Sequence, residues 1–396
     1  MATTAAHDNR LLLLLLGAAL IAAAAAAAAP SPSSSRPPFR TVYAFGDSFT
    51  DTGNTHSTTG PYSFGYVSSP PYGATFFHRS TNRYSDGRLV VDFLAEALKL
   101  PSFLPPYLSS SNSSTAQQGQ GQQQEEDVGV NFAVAGATAI EHDFFASNNL
   151  SIDVTPQSIL TELAWFDDHL RRAGKNDHVA DALFWVGEIG ANDYAYTVVA
   201  RDTLPPKLVR SMAVQRVTTF VEGLLARGAK YLIVQGLPLT GCLPLAMSLA
   251  RADDRDNVSC VASVNRQSYA HNRHLLAALH GLRQRHPGAV IAYADYYAAH
   301  LAVMRSPARY GFTEPFRTCC GSGGGDYNFD LFATCGSPGV NTACARPAQY
   351  VNWDGVHMTE AMYKVVAGMF FQPGSGDAYC RPAFSDLLAM KAQGKP

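Results

Sequence analysis

The sequence has no excess of charge of either sign. Its 396 residues contain 30 lysines and arginines against 32 aspartates and glutamates, which gives a formal net charge of −2 at pH 7. A protein that binds nucleic acid or an anionic membrane surface electrostatically needs a basic surplus, and this chain has none. Nucleic acid is therefore not expected among its partners.

Long apolar runs are also absent after the first 29 residues. At the start of the chain, Arg10 precedes Leu11–Leu16, and an Ala-rich run continues to Ala29. A basic residue, an apolar core and small residues at its end are typical of a secretory signal peptide, which we predict at residues 1–29. The alternative is a membrane anchor, since the uncharged run could just span a bilayer. We expect cleavage, because no basic cluster follows and alanine is weakly apolar, so the mature protein should be soluble and free of the membrane.

Cysteine is missing from the N-terminal half, and the seven cysteines all lie at or after Cys242. In an exported chain most cysteines pair, and a loop separates Cys242 from Cys260, so we predict a disulfide between them. A second group is expected to form two bridges of open connectivity: Cys319, Cys320, Cys335 and Cys344. No metal site is predicted, because adjacent cysteines do not match the ligand spacing of zinc sites. The odd number leaves one thiol that stays free or pairs outside the chain.

Three Asn-x-Ser sequons occur, at Asn112, Asn149 and Asn257. The motif is short and frequent by chance, so its use depends on the compartment of the protein. In an exported chain the three asparagines are predicted to carry surface glycans.

Short β-rich runs alternate with amphipathic helical segments along the chain. The runs cover residues 41–45, 128–135, 183–186, 230–235 and 289–293. Strands separated by helices predict an α/β fold, with a central parallel sheet of about five strands and helices on both faces. A linker rich in proline and serine at 30–38 precedes these runs. No later linker divides the chain, so residues 39–390 are predicted to form a single domain.

Capping residues predict where three of the helices begin. Asp86 is predicted to cap a helix that runs to Leu98. Thr155, followed by proline, is predicted to cap a long helix that ends at Gly174. Thr359 is predicted to cap the last helix.

Two loops are long enough to need an explanation. The first, at 55–75, is rich in glycine, proline, serine and tyrosine, and loops of this length commonly carry function. Aromatic residues in and after this loop either wall a substrate groove or pack over the core: Tyr62, Phe64, Tyr66, Tyr72, Phe76 and Phe77. The second, at 109–127, is a low-complexity insertion that predicts a surface loop.

Small or polar residues follow predicted strands at the places where open α/β sheets bind ligands. Ser48 follows the first strand in Gly-Asp-Ser, Gly136 the second and Asn192 the third, and Asp354 and His357 precede the last helix. Each alone is a weak signal, because serine, glycine and asparagine are common turn residues. An Asp-x-x-His pair could equally bind a metal.

Together these residues supply every part of an acyl-transfer site. We predict Ser48 as the nucleophile, His357 as the general base, and Asp354 as the group that orients His357. A tetrahedral oxyanion also needs preorganised donors. The backbone N–H groups of Ser48 and Gly136 and the side-chain amide of Asn192 are the predicted oxyanion hole.

The same residues, in this order, resemble the sequence blocks of the plant GDSL esterase/lipases, which belong to the SGNH hydrolase superfamily. Residues 46–54 (GDSFTDTGN) resemble the first block, with Phe49 where the family name has leucine. Residues 131–138, 190–194 and 354–357 resemble three later blocks. The resemblance extends from about Phe39 to Phe371.

This resemblance implies a flavodoxin-like three-layer α/β/α sandwich that uses no metal and no cofactor. It also implies hydrolysis of carboxylic esters through an acyl-serine intermediate. In this family the serine does not lie in the Gly-x-Ser-x-Gly elbow of the α/β-hydrolases. Ser48, flanked by Asp47 and Phe49, fits that distinction.

We therefore expect a secreted serine esterase of the apoplast or cell wall that acts on a small-molecule or polysaccharide ester. The tyrosine- and serine-rich loop 55–75 favours a groove for polar or phenolic esters, since a lipase would usually show a large apolar lid. The resemblance to the plant group, which includes deacetylases of cell-wall polysaccharides, implies small acyl, acetyl-type esters of cell-wall carbohydrate or of specialised metabolites. One alternative is a lipase or cutin-type esterase acting on lipid esters. Another is a catalytically silent protein of the same fold that binds glycans or acyl compounds.

Overall fold

The computed structural model describes residues 38–58, 62–111, 128–148, 150, 155–174, 179–199, 204–372, 374 and 379–395. The predicted signal peptide, nearly all of the predicted linker and most of the predicted insertion at 109–127 lie outside these residues. Asn112 and Asn149 also lie outside them, whereas Asn257 is described and exposed.

A six-stranded sheet lies at the centre of the described residues. In spatial order its strands are β2 (Gly129–Asn131), β1 (Val42–Phe45), β3 (Leu183–Val186), β4 (Tyr231–Gln235), β5 (Val290–Ala294) and β8 (Cys380–Arg381). The first five are parallel, and their order is that of flavodoxin-like folds. The predicted α/β fold with about five parallel strands is therefore confirmed.

Some of the β-structure differs from the sequence prediction. The run at 128–135 is a strand only over β2, and β8 pairs antiparallel with β5 through two residues. A separate parallel pair consists of β6 (Glu314–Thr318) and β7 (Tyr350–Asn352). β7 and β8 are too short to show a periodic pattern in a sequence window, and β6 contains a proline and only one buried residue. β7 matters for the site because Asp354 follows it.

Helices cover both faces of the sheet. They are α1 (Val90–Ala97), α2 (Tyr107–Ser111), α3 (His142–Ser147), α4 (Ile159–Ala173), α5 (Ala191–Val199), α6 (Pro206–Ala226), α7 (Pro244–Leu249), α8 (Ala262–Arg285), α9 (Tyr296–Arg305), α10 (Glu360–Phe371) and α11 (Phe384–Ala392). Strand side chains alternate between two buried clusters: Val42 and Ala44 belong to one, Tyr43 and Phe45 to the other. The first cluster includes residues of α1, α9, α10 and α11, the second residues of α4, α6 and α8. The architecture is a three-layer α/β/α sandwich.

The register of the sheet determines where the site can form. The last residue of β1, Phe45, pairs with Val186 at the end of β3, and Ala44 pairs with Asn131 at the end of β2. The segments that follow these three strands therefore leave the sheet side by side. In parallel α/β sheets this edge, at the carboxyl ends of the strands, is where ligands bind.

The predicted helix cap at Asp86 is wrong. The helix begins at Val90, and its first turn is closed by Asp92, whose carboxylate accepts the N–H of Leu89 over 2.9 Å. Asp86 instead accepts the N–H of Glu360, the first residue of α10, over 2.7 Å. The carboxylate of Asp86 therefore binds the start of α10, which is distant in sequence, although the local pattern predicts that it caps α1.

The predicted cap at Thr155 is also wrong, because α4 begins at Ile159 and its N-cap is Ser158. The hydroxyl of Thr155 donates instead to the carbonyl of Ala135 over 3.0 Å. The cap at Thr359 is confirmed, since its hydroxyl accepts the N–H of Met362 over 3.2 Å.

The disulfides agree with the prediction and complete it. Cys242 pairs with Cys260 as expected, and the open connectivity is Cys319–Cys344 and Cys320–Cys335. Cys380 is the remaining free thiol and is buried.

Membrane-spanning helices and metal clusters are both missing from the described ranges. No helix there is long and apolar enough to cross a membrane. No group of three or more His, Cys, Asp or Glu side chains in these ranges is arranged to hold a metal ion.

Candidate active site

Ser48 lies on a tight turn directly after β1. The turn begins at Gly46, which has a φ of 136°. Glycine adopts this conformation readily, whereas other residues rarely do. A Cβ at this position would lie 3.1 Å from the carbonyl oxygen of Glu188. The carboxyl group of Asp47 accepts the N–H of Phe49 over 3.0 Å and closes the turn. The Ser48 side chain is thereby held just beyond the carboxyl end of the sheet.

His357 lies within hydrogen-bond distance of Ser48, although 309 positions separate them in the chain. Its Nε2 is 2.7 Å from the Ser48 Oγ. Its Nδ1 is 3.0 and 2.9 Å from the two carboxylate oxygens of Asp354. An Nδ1–H donated to this carboxylate leaves Nε2 free to accept the serine proton. The three side chains have the geometry of a Ser-His-Asp triad.

The carboxylate of Asp354 is held by donors on both of its oxygens. Oδ1 accepts the backbone N–H groups of Val356 over 2.8 Å and of His357 over 2.7 Å. Oδ2 accepts the hydroxyl of Tyr72 over 2.8 Å. Burial raises the pKa of Asp354, but the charge of His357 and hydrogen bonds from His357 and Val356 outweigh burial and leave this pKa below its usual value. Asp354 therefore remains ionised and can stabilise an imidazolium.

Aromatic rings enclose the imidazole of His357. The ring centroid of Tyr84 lies 4.5 Å from that of His357, and the centroid of Phe49 lies 5.5 Å away. The ring of Tyr72 packs edge-on against Tyr84, with 6.1 Å between centroids. The rings of Tyr84 and Phe49 limit the rotation of the imidazole, which keeps Nε2 directed at Ser48.

The aromatic residues in and after loop 55–75 divide between the two roles that the sequence left open. Tyr72 is buried and contacts the triad, and the ring of Phe64 lies against Gly136. Phe76 and Phe77 instead pack on each other and on Phe103. This part of the chain therefore both lines the site and covers the core.

Gly136 is a crowded position. It has a φ of 77°, and a Cβ there would lie 2.2 Å from the Thr155 hydroxyl, 2.3 Å from Phe64 Cε2 and 2.8 Å from the Tyr196 hydroxyl. No side chain larger than hydrogen fits at this point. Within the described part of the chain, the N–H groups of Gly136 and Ser48 have no hydrogen-bond acceptor.

The side chain of Asn192 contacts Asp47, which precedes Ser48, and Ala137, which follows Gly136. Its Nδ2 is 3.0 Å from Asp47 Oδ2 and 3.0 Å from the carbonyl oxygen of Ala137. Both amide hydrogens therefore have an acceptor in this structure. Donation to an oxyanion requires that one of these two bonds be exchanged for the new one.

Buried carboxyl groups lie behind the turn that carries Ser48. Glu162 accepts the N–H of Gly46 over 2.9 Å, and Glu188 accepts the N–H of Ala191 over 3.0 Å. Burial, followed by the charge of Glu188, raises the pKa of Asp47 well above its usual value. The raised pKa favours the neutral form of Asp47, which reduces the negative charge beside the oxyanion donors.

Two further carboxylates, which sequence reasoning missed, hold the loops of the site. Asp193 accepts the N–H groups of residues 139 and 140, each over 2.9 Å. Asp51 accepts the N–H of Ala135 over 3.1 Å and so connects the first turn to the Gly136 segment. Both aspartates lie inside the sequence blocks that resemble the family, and this is the signal that could have identified them.

The sequence is similar to a known protein family over most of its length. Residues 42–369 match the family model described as GDSL-like lipase/acylhydrolase, a range that contains every predicted catalytic and oxyanion residue. GDSL esterase/lipase At3g48460 of Arabidopsis thaliana is 54% identical over 357 residues, which cover 89% of this chain and 90% of the relative.

More distant relatives from the same plant are also similar over most of their length. GDSL esterase/lipase At1g28600 of Arabidopsis thaliana is 37% identical over 344 residues, with 84% of this chain and 83% of the relative covered. At1g28590, of the same description and organism, is 36% identical over 342 residues, with 83% and 81% covered. This chain belongs to the GDSL-like lipase/acylhydrolase family of carboxylic ester hydrolases.

Proposed function

We propose that this ester hydrolase is a secreted serine esterase that works through an acyl intermediate on Ser48. The observation that carries the proposal is the continuous set of contacts from Ser48 through His357 to Asp354. Nε2 lies 2.7 Å from Oγ, and Nδ1 lies 2.9 Å from the nearer carboxylate oxygen. A serine hydroxyl hydrogen-bonded to a neutral imidazole that a carboxylate orients is an activated nucleophile. In this proposal residues 39–390 act as one catalytic domain.

In the acylation step, Oγ of Ser48 attacks the ester carbonyl carbon while Nε2 of His357 takes the hydroxyl proton. Asp354 stabilises the resulting imidazolium. When the tetrahedral intermediate collapses, His357 gives this proton to the leaving alcohol oxygen and the ester C–O bond breaks. Water then attacks the acyl-serine with His357 again as base, which releases the acid and restores Ser48.

The negative charge on the carbonyl oxygen is stabilised by three donors in this proposal. They are the N–H groups of Ser48 and Gly136, which have no acceptor within the described ranges, and the amide of Asn192. Donors fixed by the backbone need no reorganisation during the reaction, which makes them effective. The raised pKa of Asp47, beside Asn192, supports this assignment, because a shift toward the neutral carboxyl weakens a charge that would oppose the oxyanion.

The packing around Gly136 favours a small acyl group. Thr155, Phe64 and Tyr196 all contact the space directly above this glycine. In this proposal, an acyl chain bound between Ser48 and Gly136 would meet these side chains close to its carbonyl carbon. We infer that acetyl-type esters are the substrates, on cell-wall carbohydrate or on specialised metabolites.

A panel of esters tests this proposal. The purified protein is assayed on p-nitrophenyl acetate, butyrate and palmitate and on acetylated xylan, with Ser48→Ala as the inactive control. We expect the highest kcat/KM for the acetyl esters. Phe64→Ala removes one wall of the acyl site and should raise the butyrate-to-acetate ratio of kcat/KM. A wild-type preference for palmitate over acetate would contradict the acetyl-ester assignment.

One observation favours lipid esters as the second candidate. Phe332 is 95% exposed, and its neighbour Leu331 is 45% exposed. Both lie on the loop closed by the Cys320–Cys335 disulfide, and Phe329 of the same loop packs on Gly355, next to Asp354. Exposed apolar side chains near a catalytic turn suit an apolar substrate surface. Hydrolysis of emulsified long-chain esters that falls in Phe332→Ser would support this candidate.

The features of an exported glycoprotein support a location in the apoplast or cell wall. The sequence begins with a signal-peptide pattern, the cysteines form three disulfides, and Asn257 of the third sequon is exposed. Disulfides persist mainly in oxidising compartments. A secreted enzyme would meet acetylated polysaccharides outside the cell.

A further inference from the structure

We propose that Tyr72 is a positioning residue of the triad, whose phenolic hydroxyl orients Asp354 and, through it, His357. The inference rests on the proposed role of the triad in ester hydrolysis. The hydroxyl of Tyr72 donates to Asp354 Oδ2 over 2.8 Å across 282 positions of sequence. Oδ2 is also the carboxylate oxygen nearer to His357 Nδ1, at 2.9 Å. Tyr72 therefore donates to the carboxylate oxygen that also lies nearer to the Nδ1–H donor of His357.

The donors to Asp354 differ in where they come from. The N–H groups of Val356 and His357 belong to the same turn as Asp354 and move with it. Tyr72 belongs to the separate loop 55–75, outside every motif block. Among the described residues, its hydroxyl is the single donor that ties the carboxylate to another part of the molecule. Its effect is to fix the direction of Oδ2 relative to the sheet.

Tyr72 is itself held firmly. Its side chain is 5% exposed, and its ring packs edge-on against those of Tyr84 and Trp353 at centroid distances of 6.1 and 6.0 Å. The next residue, Gly73, donates its N–H to the carbonyl of Ser85 over 3.0 Å. A buried ring with a fixed backbone presents its hydroxyl in one direction.

The hydroxyl of Tyr72 also remains a donor across the working pH range. Burial, followed by the charge of Asp354, raises the pKa of Tyr72 well above its usual value. The hydrogen bond spreads the negative charge of the carboxylate without neutralising it. This weakens the attraction of Asp354 for the proton that His357 takes from Ser48.

The test compares Tyr72→Phe with Tyr84→Phe. The first variant removes the hydroxyl that contacts Asp354. The second removes a hydroxyl from the same buried cluster that donates to the carbonyl of Phe64, over 3.0 Å, rather than to Asp354. For Tyr72→Phe we expect kcat on p-nitrophenyl acetate to fall about tenfold with KM unchanged, since a hydrogen bond to a charged group is lost. The acidic limb of the pH profile of kcat/KM should also shift to higher pH, by as much as about one unit.

The Tyr84→Phe variant should keep the acidic limb at the wild-type pH. If both variants lower kcat and neither moves the limb, Tyr72 acts through packing alone and the inference is wrong. It is also wrong if Tyr72→Phe leaves kcat and the limb at wild-type values. Thermal unfolding of both variants shows whether they fold equally well.

A double-mutant cycle with Asp354→Ala tests the route of the effect. Because Tyr72 acts through Asp354, adding Tyr72→Phe to Asp354→Ala should cause no further loss of kcat. A further tenfold loss would show that Tyr72 acts elsewhere and would overturn the inference.

A wild-type protein that neither hydrolyses the ester nor reacts at Ser48 with a fluorophosphonate would reject the proposed function, and this inference with it. An active wild type with an unaffected Tyr72→Phe rejects the inference alone.

Discussion

The side-chain amide of Asn192 donates to two acceptors in this structure, and in the proposed reaction it also donates to the substrate oxyanion. Its Nδ2 donates to Asp47 and to the carbonyl of Ala137, each over 3.0 Å. We expect the amide to exchange one of these two bonds for one to the oxyanion as charge develops on the substrate.

Replacing Asn192 by alanine should therefore lower kcat by about 10²–10³ with little change in KM, the usual cost of one oxyanion donor. The measurement is steady-state hydrolysis of p-nitrophenyl acetate. Asn148→Ala is the matched control, since that amide donates to the carbonyl of Phe144 over 2.8 Å outside the site. Wild-type turnover in Asn192→Ala would remove this residue from the oxyanion hole.

Single residues differ in how far the sequence could identify them. Ser48, Asp354 and His357 lie in motif blocks, and the chemistry of acyl transfer is enough to group them from the sequence. Tyr72 carries no such signal, because its partner is 282 positions away and tyrosines are frequent in its loop. A contact of this kind depends on how the loop folds back over the sheet, which a local pattern does not encode.

The segment after β2 and the helix α5 are joined by one buried carboxylate. Asp193, in the first turn of α5, accepts the N–H groups of residues 139 and 140 over 2.9 Å each. Burial raises its pKa to about 7. This pair of hydrogen bonds fixes α5, which carries Asn192, against the loop that carries Gly136.

The stability of the protein should depend on pH through Asp193. Its pKa is higher in the folded state, so the folded state binds more protons between about pH 4 and 7 and loses stability as pH rises. The pKa of Asp193 is about 7 in the folded state, against the usual 3.8. Between pH 4 and pH 8, the free energy of unfolding of the wild type should therefore fall by roughly 4 kcal/mol relative to that of Asp193→Asn.

Urea unfolding of both proteins at several pH values measures this difference. Asp326→Asn, at an exposed position, serves as the control for the loss of one carboxyl group. A difference between wild type and Asp193→Asn that stays constant or grows with pH would contradict the assignment.

The helix starts show where local patterns mislead. Thr155 and Asp86 have the residue types and positions of N-caps, yet both side chains serve tertiary contacts, to Ala135 and Glu360. Each contact ties a loop to a neighbour of the site: Ala135 precedes Gly136, and Glu360 begins the helix after His357. Thr359 was predictable because its hydroxyl can serve both roles at once. It donates to the carbonyl of Tyr350 over 2.7 Å and still accepts the N–H that caps the helix.

At the scale of the whole molecule, a count of free thiols tests the disulfide pairing. The structure pairs six cysteines and leaves Cys380 buried. Without reductant, a thiol reagent should therefore find no reactive cysteine in the native protein and one per chain after denaturation. Ellman's reagent measures both values. Two or more thiols in the unreduced denatured protein would contradict the three-disulfide chain expected of an exported enzyme.

The global topology follows from the sequence only through the motif blocks. Alternating strands and helices predict a parallel sheet, but periodicity alone does not give the strand order, which came from the resemblance to a family. The short strands β6, β7 and β8 were missed because they pair through few residues. β7 and the loop that contains Phe329 together hold the turn of Asp354, so part of the site depends on structure that the sequence pattern does not show.

The central claim is that Ser48 is the nucleophile and His357 its base, and covalent labelling tests it most directly. The purified protein is incubated with a fluorophosphonate, and the modified peptide is located by mass spectrometry across a range of pH. We predict one label per chain on Ser48, a labelling rate that falls on acidification as His357 becomes protonated, no label in Ser48→Ala and greatly slowed labelling in His357→Ala. A label on another residue, or a labelling rate that is unchanged in His357→Ala, would contradict the account.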